Sequence, residues 1–220
     1  MTACSVSFIA EPDVSYMTRK EIILQAATAL FSDKGFQNSS MAELCKMTGV
    51  AEGTIFYHFK SKEELFVAIL ENLRKSITEE FEKYTEQKRF ENGLDMMEGA
   101  ISFYLFLAGM MEERFLLLHR HDPYQLAEVN AVCRGHLEAI YNCFLDIFEK
   151  AILRGQEDGS IRKMPARKIA LIIFSMVDGL VRLNTYNLYD AGPLYGEVIH
   201  LCRRMLEAKE KIPTEKSESW

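Results

Sequence analysis

Three helix-capping sequences within the first 64 residues constrain the fold of this chain more than any other feature. The pairs are Thr18 and Glu21, Ser40 and Glu43, and Ser61 and Glu64. In such a pair the Ser or Thr side chain accepts from the backbone N–H at the third helical position, and the Glu side chain reaches back to the cap. Each pair opens a stretch with apolar residues at helical spacing. The chain is therefore predicted to begin with a series of helices.

Helical spacing continues along the chain, and the alternation typical of strands is nearly absent. We predict an all-α fold of about nine helices. Gly35 and Gly49 are expected to end the first two, and Asp122 to cap the seventh. The expected limits are 19–33, 41–47, 52–59, 62 to about 84, 90–109, 112–118, 123–155, 165–188 and 194–209, with a polar connection at 85–92.

The length of 220 residues allows one or two domains, and 48% hydrophobic with 26% charged residues is typical of a globular chain. We expect a loose segment at 1–16, a three-helix domain at 17–62, a helical domain at 63–210 and a loose tail at 211–220. The net charge of −6 disfavours a protein coated in nucleic acid but allows a local basic patch.

The location of the protein is predicted from what the sequence lacks. The N-terminus has no signal-peptide pattern, and the most apolar segment, 101–111, is about half of the ~20 residues that a membrane span requires. Five widely spaced cysteines without a CxxC pair are typical of reduced, mostly buried thiols. We predict a cytoplasmic protein with no membrane partner.

The second and third helices have the proportions of a helix-turn-helix, in which the second of the two enters the major groove of DNA. Residues 52–58 hold that place. Helical spacing turns Ile55 and Phe59 inward and leaves Thr54, Tyr57 and His58 on the other side. Their hydroxyl and ring N–H groups are suitable donors to phosphate.

Further phosphate contacts are predicted at the edges of this motif. Ser40 can present a hydroxyl and backbone N–H groups at the start of the second helix, where the helix dipole favours an anion. Lys60 and Lys62 stand just past the third helix and can contact the same strand. Residues 17–62 contain six Lys or Arg and four Asp or Glu, so their net charge is only +2.

The stretch AELCKMTGVAEGTIFYHFKSKEELF, residues 42–66, resembles the helix-turn-helix of the TetR family of bacterial regulators. The resemblance covers about 18–70 strongly. Beyond it the likeness is limited to the helix count and to QEDGSIRKMPARKIALIIFSMVDGL. The matching positions are Gly49, Val50, Gly53, Thr54, Ile55, Phe56, His58, Phe59, Lys60, Ser61, Lys62, Glu64 and Leu65.

The resemblance implies two sets of DNA contacts. Those to phosphate come from Ser40, Tyr57, His58 and Lys60. Those in the groove come from Glu52, Gly53, Thr54 and Phe56, although helical spacing alone also allows Phe56 to be a core residue. Glu52 departs from the family, which often has Lys or Ser there. Phosphate repels a carboxylate, whereas the N4 amino group of cytosine can donate to one.

For the rest of the chain the resemblance implies a homodimer and a small-molecule pocket. A twofold dimer would place two recognition helices about one DNA turn apart, ~34–36 Å. The last two long helices are the expected dimer face, as part of a four-helix bundle. Its predicted residues are Ile172, Met176, Gly179, Leu183, Val198, Leu201 and Met205.

A pocket for an apolar effector is expected in the same part of the chain, because ligand pockets are mostly apolar with a few polar groups. Each aromatic residue, taken alone, is equally consistent with ordinary core. The candidate lining residues are Phe103, Phe106, Met110, Phe115, Tyr141, Phe144, Phe148, Phe174, Asp178 and Arg182, with Asn184 and Tyr186 as further polar groups.

No metal, cofactor or catalytic site is predicted. In HRHD, residues 119–122, the two histidines are two apart, diverge on a helix and have no third ligand nearby. No nucleophile–base pair, phosphate loop or HExxH sequence is present. The chain is expected to be a ligand-responsive DNA-binding transcriptional regulator, a repressor released from a palindromic operator by an apolar small molecule. The alternatives are a small-molecule sensor whose helix-turn-helix no longer binds DNA and an all-α enzyme.

Overall fold

The computed structural model describes residues 17–208, which form ten α-helices and one short 3₁₀ helix. The expected loose ends at 1–16 and 211–220, together with Cys4, lie outside the described residues. The helices are α1 (Arg19–Lys34), α2 (Met41–Thr48), α3 (Glu52–His58), α4 (Lys62–Gln87), α5 (Gly93–Met110), α6 (Glu112–His119), α7 (Asp122–Val129), α8 (Ala131–Asp158), α9 (Ala166–Thr185), the 3₁₀ helix (Gly192–Leu194) and α10 (Tyr195–Leu206).

Two of the three predicted capping boxes are complete. At α1 and α2 the cap accepts from the third residue, and the Glu side chain accepts in return. At α4 the Ser61 hydroxyl accepts from the N–H of Glu64 at 3.1 Å, but the Glu64 carboxylate accepts from the N–H of Lys60 at 2.6 Å instead. Gly49 ends α2 with a left-handed φ of 66°, as predicted.

The predicted single helix at 123–155 is wrong. Asn130 separates α7 from α8, because its side-chain oxygen accepts from the N–H groups of Val132 and Cys133, each at 3.0 Å, and so caps a new helix. Asp122 is the first helical residue of α7, and the preceding His121 makes no capping hydrogen bond through its side chain. The predicted connection also begins too early, since α4 continues to Gln87.

Helix α8 lies at the centre of the C-terminal part and packs against α4, α5, α7 and α9. Its contact with the start of α5 is close: a Cβ placed on Gly93 would lie 1.9 Å from the backbone N of Gly155. Helix α10 packs on α5 and α9. One continuous buried apolar cluster runs through these helices into α1, α2 and α3.

Lys62 fixes the start of α4 to the loop between α1 and α2. Its Nζ donates to the carbonyl of Phe36 at 2.7 Å and to that of Ser39 at 2.9 Å. The Phe66 ring, one turn into α4, lies 5.1 Å from the Phe36 ring in an edge-to-face arrangement. Lys62 therefore serves the fold, and its expected contact with DNA stays a prediction.

Helix α6 connects α1 with α9. It packs against α1 on one side and α9 on the other. At its C-terminal end Arg120 donates to the carbonyl of Ser32 at 2.7 Å and also to that of Asp33, so it caps the end of α1. A shift of α6 would therefore act directly on α1.

No helix among residues 17–208 is both long enough and apolar enough to cross a bilayer. Cys133 and Cys202 are buried, and Cys45 and Cys143 are half-buried. Burial raises the pKa of the Cys133 thiol, and raises that of Cys202 to about 11. At neutral pH both therefore remain protonated and unreactive.

Candidate nucleic-acid interface and effector region

Helix α3 is anchored to the core by one side. Ile55 and Phe59, four residues apart, are buried together with Leu44 of α2. Gly49, with its left-handed backbone, forms the turn between α2 and α3. Ala51 precedes α3, so the first turn of α3 has no capping side chain. Because Ile55 and Phe59 are buried, the opposite side of α3 faces solvent.

The solvent side of α3 carries unusually large exposed groups. Tyr57 is 76% exposed and Phe56 is 38% exposed, so Phe56 is a surface residue rather than part of the core. Glu52 and Gly53 are exposed at the start of the helix, and Thr54 and His58 are half-buried beside them. We call these six residues the α3 face.

Lys60 is the cation closest to the α3 face in sequence. Its Nζ lies 3.4 Å from the carbonyl oxygens of Phe56 and Tyr57, at the end of α3, and 5.9 Å from the Tyr57 ring. Lys60 is exposed. A cation at a helix C-terminus is favourable, and this one remains accessible to an anion.

Ser40 is already occupied within the protein. Its backbone N–H and its hydroxyl both donate to the carboxylate of Glu43, at 2.9 and 3.1 Å. Glu43 also accepts from Lys34 at 2.7 Å. The hydrogen bond from Lys34, followed by those from Ser40, lowers the pKa of Glu43. A phosphate at Ser40 would have to approach this carboxylate.

The C-terminal part contains an aromatic cluster formed by α5, α6, α8 and α9. The Tyr104 ring lies 4.9 Å from Phe144 and 5.5 Å from both Phe115 and Phe174, each edge to face. Phe174 also contacts Tyr141 at 5.9 Å. These rings touch one another directly, so in this structure they are packed together as a core.

A buried polar group adjoins these rings. Oδ1 of Asp178 accepts from the Tyr104 hydroxyl and lies 2.9 Å from Nε2 of His119. His119 is 1% exposed, and its Nδ1 is buried without a hydrogen-bond partner. Nearby, the hydroxyls of Tyr124 and Tyr141 are hydrogen bonded to each other.

The predicted pocket residues are brought together only in part. Five of the aromatic residues and Asp178 join the cluster, but Phe103 packs instead on Phe81 and Tyr84 of α4. Phe106 and Met110 are 46% and 40% exposed, and Arg182 also lies at the surface. The five are Phe115, Tyr141, Phe144, Phe148 and Phe174.

Residues 23–69, which include the whole α3 face, match the family described as bacterial regulatory proteins, tetR family. The helix-turn-helix region of the chain belongs to this tetR family. The described residues of the chain have the all-helical fold of the family, with a helix-turn-helix at the N-terminal end, as predicted. The chain is a transcriptional regulator and not an enzyme.

Two regulators of Bacillus subtilis are moderately similar to this chain in sequence. An uncharacterised HTH-type transcriptional regulator of Bacillus subtilis, YvdT, is 29% identical over 140 residues, which cover 60% of this chain and 64% of that protein, or less than two thirds of its length. The fatty acid metabolism regulator protein of the same organism is 24% identical over 183 residues, covering 81% of this chain and 91% of that protein.

Solved structures support the fold. The transcriptional regulator FadR from Bacillus subtilis, in complex with stearoyl-CoA, superposes with a TM-score of 0.70 at 22% identity, and covers 84% of this chain and 97% of that one. At this identity the likeness concerns the fold.

The helices on which tetR-type pairing is expected carry an exposed apolar face. Ile172 and Met176 on α9 and Leu201 on α10 are exposed, as is Leu171. Gly179 and Leu183 on α9 and Met205 on α10 are half-buried, and a Cβ on Gly179 would meet nothing within 4 Å. Val198 is buried inside the protomer.

Tyr104, His119 and Tyr124 were not predicted from the sequence as residues of this site. His119 lies four residues after Phe115, and this spacing places it on the same buried side of α6. In the sequence HRHD, His119 bonds to Asp178 on α9, and Arg120 donates to the end of α1. Among residues 17–208, no group of three or more His, Cys, Asp or Glu side chains is arranged to hold a metal ion.

A separate open depression of about 430 Å³ lies between α1, α2 and α6. It is lined mainly by charged and aliphatic side chains, including Lys34, Glu43 and Glu113. None of its lining residues belongs to the aromatic cluster, so the two features are distinct.

Proposed function

We propose that this regulator is a homodimeric repressor, that it binds a palindromic DNA operator through the α3 face, and that an apolar small molecule releases it. The observation that carries the proposal is the exposure of Phe56 and Tyr57 directly above the buried anchors Ile55 and Phe59. Large aromatic side chains held at the surface by a rigid helix suit an interface. Binding to operator DNA would place the protein in the cytoplasm.

Gly53 supports the DNA-binding role independently. Its backbone is helical, and a Cβ on it would meet nothing within 4 Å. Glycine in a helix costs about 0.5–1 kcal/mol relative to alanine, and no contact within residues 17–208 requires it here. Close approach of this backbone to DNA would explain why there is no side chain.

The charges suit a modest, directed contact. Lys60 and the donor groups of Tyr57 and His58 would bind phosphate, with Ser40 contributing if Glu43 gives way. Thr54 and Phe56 would meet base edges or thymine methyl groups, and Glu52 would accept from cytosine N4. Two copies of the site in a dimer would compensate for the small net positive charge of each helix-turn-helix domain.

The second copy would pair through α9 and α10. Leu171, Ile172, Met176 and Leu201 form an exposed apolar face. A partner helix could approach closely at Gly179, where no Cβ intervenes. Burial of such a face is the main driving force for a four-helix dimer interface.

Release would act through α6. An effector that entered among the rings of α5, α6, α8 and α9 would displace α6, and Arg120 would carry the shift into α1. A coupling of about 1–3 kcal/mol changes DNA affinity 5–150-fold. The stearoyl-CoA bound by the similar FadR structure supports a small molecule with a large apolar part as the effector.

The test is selection of duplexes from a random pool with the purified protein, followed by a salt titration on the selected sequence. We expect a palindrome and affinity that falls steeply with salt, because phosphate contacts release counterions. The double variant Tyr57→Ala/His58→Ala should lose at least tenfold in affinity. Tyr189→Ala, which removes a similarly exposed tyrosine from the loop after α9, is the matched control.

A second candidate, a small-molecule sensor without DNA binding, is favoured by one observation. Glu43 occupies the N–H and hydroxyl of Ser40, where a phosphate would otherwise bind. No duplex selected at low salt, or an unchanged affinity of the double variant, would favour this candidate over the repressor.

A further inference from the structure

Asp178 places a carboxylate against aromatic rings. It lies one turn after Phe174 on α9, and its Oδ1 accepts from Tyr104. Its side chain is 20% exposed, and Tyr124 is 36% exposed, so the site is open to solvent at one edge. We call Asp178, His119, Tyr104, Tyr124, Tyr141 and Phe174 the Asp178 site.

The hydrogen bonds around Asp178 and His119 leave acceptors unused, while one hydroxyl of the Tyr124–Tyr141 pair keeps an unused donor in the described chain. Both protein contacts fall on Oδ1, and Oδ2 accepts no hydrogen bond from residues 17–208. A carboxylate only accepts, so Nε2 of His119 carries the proton of that contact. In the neutral ring Nδ1 is then an acceptor, and it is buried without a partner.

The charges point the same way. Arg182, one turn beyond Asp178, is exposed and forms no ion pair with it, so His119 is its single ionisable basic partner in the described chain. Burial, followed by the charge of Asp178, raises the pKa of Tyr104, and burial raises that of Tyr141. Both phenols are thus neutral at physiological pH. The charge of Asp178 opposes a second negative charge there, while the charge of Arg182 lowers the pKa of Tyr141 and offsets part of this effect.

The rings add a further preference. The face of an aromatic ring is electron-rich and attracts a cation, more strongly when water is excluded. The rings of Tyr141 and Phe174 are 5.9 Å apart and nearly perpendicular. The Asp178 carboxylate accepts from Tyr104, whose ring packs on Phe174, so the rings and the carboxylate together suit a positively charged group attached to an apolar body.

We propose that the effector carries a cationic, hydrogen-bond-donating nitrogen on an apolar body, and that Asp178 receives this nitrogen. The inference rests on the proposed function in treating this region as the effector site. The nitrogen would donate to the free carboxylate oxygen, and the apolar body would lie among the rings of Tyr141 and Phe174. An effector with a carboxylate at this position would meet repulsion from Asp178.

The test uses three probes that share one carbon skeleton and differ in the head group: phenylbutylamine, phenylbutanol and phenylbutyrate. Their binding to the full chain is measured by isothermal titration calorimetry at neutral pH without DNA. We expect the amine to bind about tenfold more tightly than the alcohol, and the carboxylate to bind most weakly. Because no DNA is present, a failure of operator binding does not affect the result.

Substitution of Asp178 then identifies the receiving group. Asp178→Asn keeps the shape and should reduce the advantage of the amine over the alcohol to within about twofold. Asp146→Asn, which removes an exposed carboxylate from α8, should leave the ranking unchanged.

Three outcomes would overturn the proposal. They are equal or tighter binding of the carboxylate by the wild-type chain, no binding of the amine at millimolar concentration, and an amine advantage that persists in a folded Asp178→Asn variant. The wild-type ranking decides the matter even if that variant does not fold.

Discussion

Nε of Arg120 lies 2.7 Å from the carbonyl oxygen of Ser32, so the last turn of α1 is held by the residue that ends α6. The preceding residue, His119, is bonded to Asp178 on α9. Two consecutive side chains thus join the recognition region to the helix on which dimerisation is proposed.

Arg120→Ala removes a charged donor from two terminal carbonyls of α1. We expect the free energy of unfolding to fall by about 1–2 kcal/mol, since hydrogen bonds to charged groups contribute about that much. Urea denaturation measures the change. Arg120→Lys should restore part of the stability, because it keeps the charge but not the planar fork. A loss equally large in Arg134→Ala, an exposed arginine on α8, would remove the special role of Arg120.

Lys60 and Lys62 should separate DNA binding from stability. Lys62→Met loses the two bonds to the Phe36 and Ser39 carbonyls and should cost about 2 kcal/mol of stability. Lys60→Met should change stability by less than about 0.5 kcal/mol but lower the salt slope of DNA binding by about two units, one for each copy in the dimer. Thermal denaturation and binding titrations measure the two effects. The reverse assignment would show that the roles given to these lysines are wrong.

Gly93→Ala tests the crossing of α5 and α8. The new Cβ would lie 1.9 Å from the backbone N of Gly155, so the helices must separate, and we expect a loss of about 3 kcal/mol. Gly135→Ala is the matched control, because a Cβ there meets nothing within 4 Å. It should stabilise α8 by about 0.5–1 kcal/mol. Similar effects of the two changes in urea denaturation would contradict the close packing.

Glu43 should contribute to acid sensitivity. Its pKa lies below the ordinary value of 4.5, because Lys34 and then Ser40 donate to the ionised form. A carboxyl that is more acidic when folded stabilises the protein above its unfolded pKa and loses this effect as the pH falls through its folded pKa. The Tm of the wild type should therefore exceed that of Glu43→Gln near pH 7, and the gap should close as the pH falls through the lowered pKa of Glu43 in the folded state. A gap that stays constant over this range would be the opposite result.

Local signals in the sequence predicted the N-terminal helices well. The limits of α1, α2 and α3 follow from Thr18, Ser40, Gly35 and Gly49, whose effects are confined to a single helical turn. The family resemblance of residues 42–66 was confirmed for the same reason, since its motif is local and long.

Long-range contacts were harder to predict. Lys60 and Lys62 both follow α3 closely in sequence, so the sequence does not distinguish their roles. The contact of Lys62 with Phe36 and Ser39 depends on how α4 packs against a loop more than twenty residues away. The apolar stripe on both sides of Asn130 predicts one continuous helix. Asn130 ends this helix because its side chain caps a new one. No local pattern decides either outcome.

The candidate effector site lies between these cases. Periodicity selected the aromatic residues of α8 and α9 that do meet, but it did not distinguish Phe103, Phe106 and Met110, which face other directions on α5. The partnership of His119 with Asp178 joins residues 59 positions apart and has no sequence signature.

The most direct test of the central claim is hydroxyl-radical footprinting of the protein on its selected duplex. A dimer that inserts two copies of α3 should protect two short patches on one face of the DNA, with centres about one helical turn, ~34–36 Å, apart. Protection should disappear with Tyr57→Ala/His58→Ala. A single patch, or a footprint that the double variant retains, would contradict the proposed mode of binding.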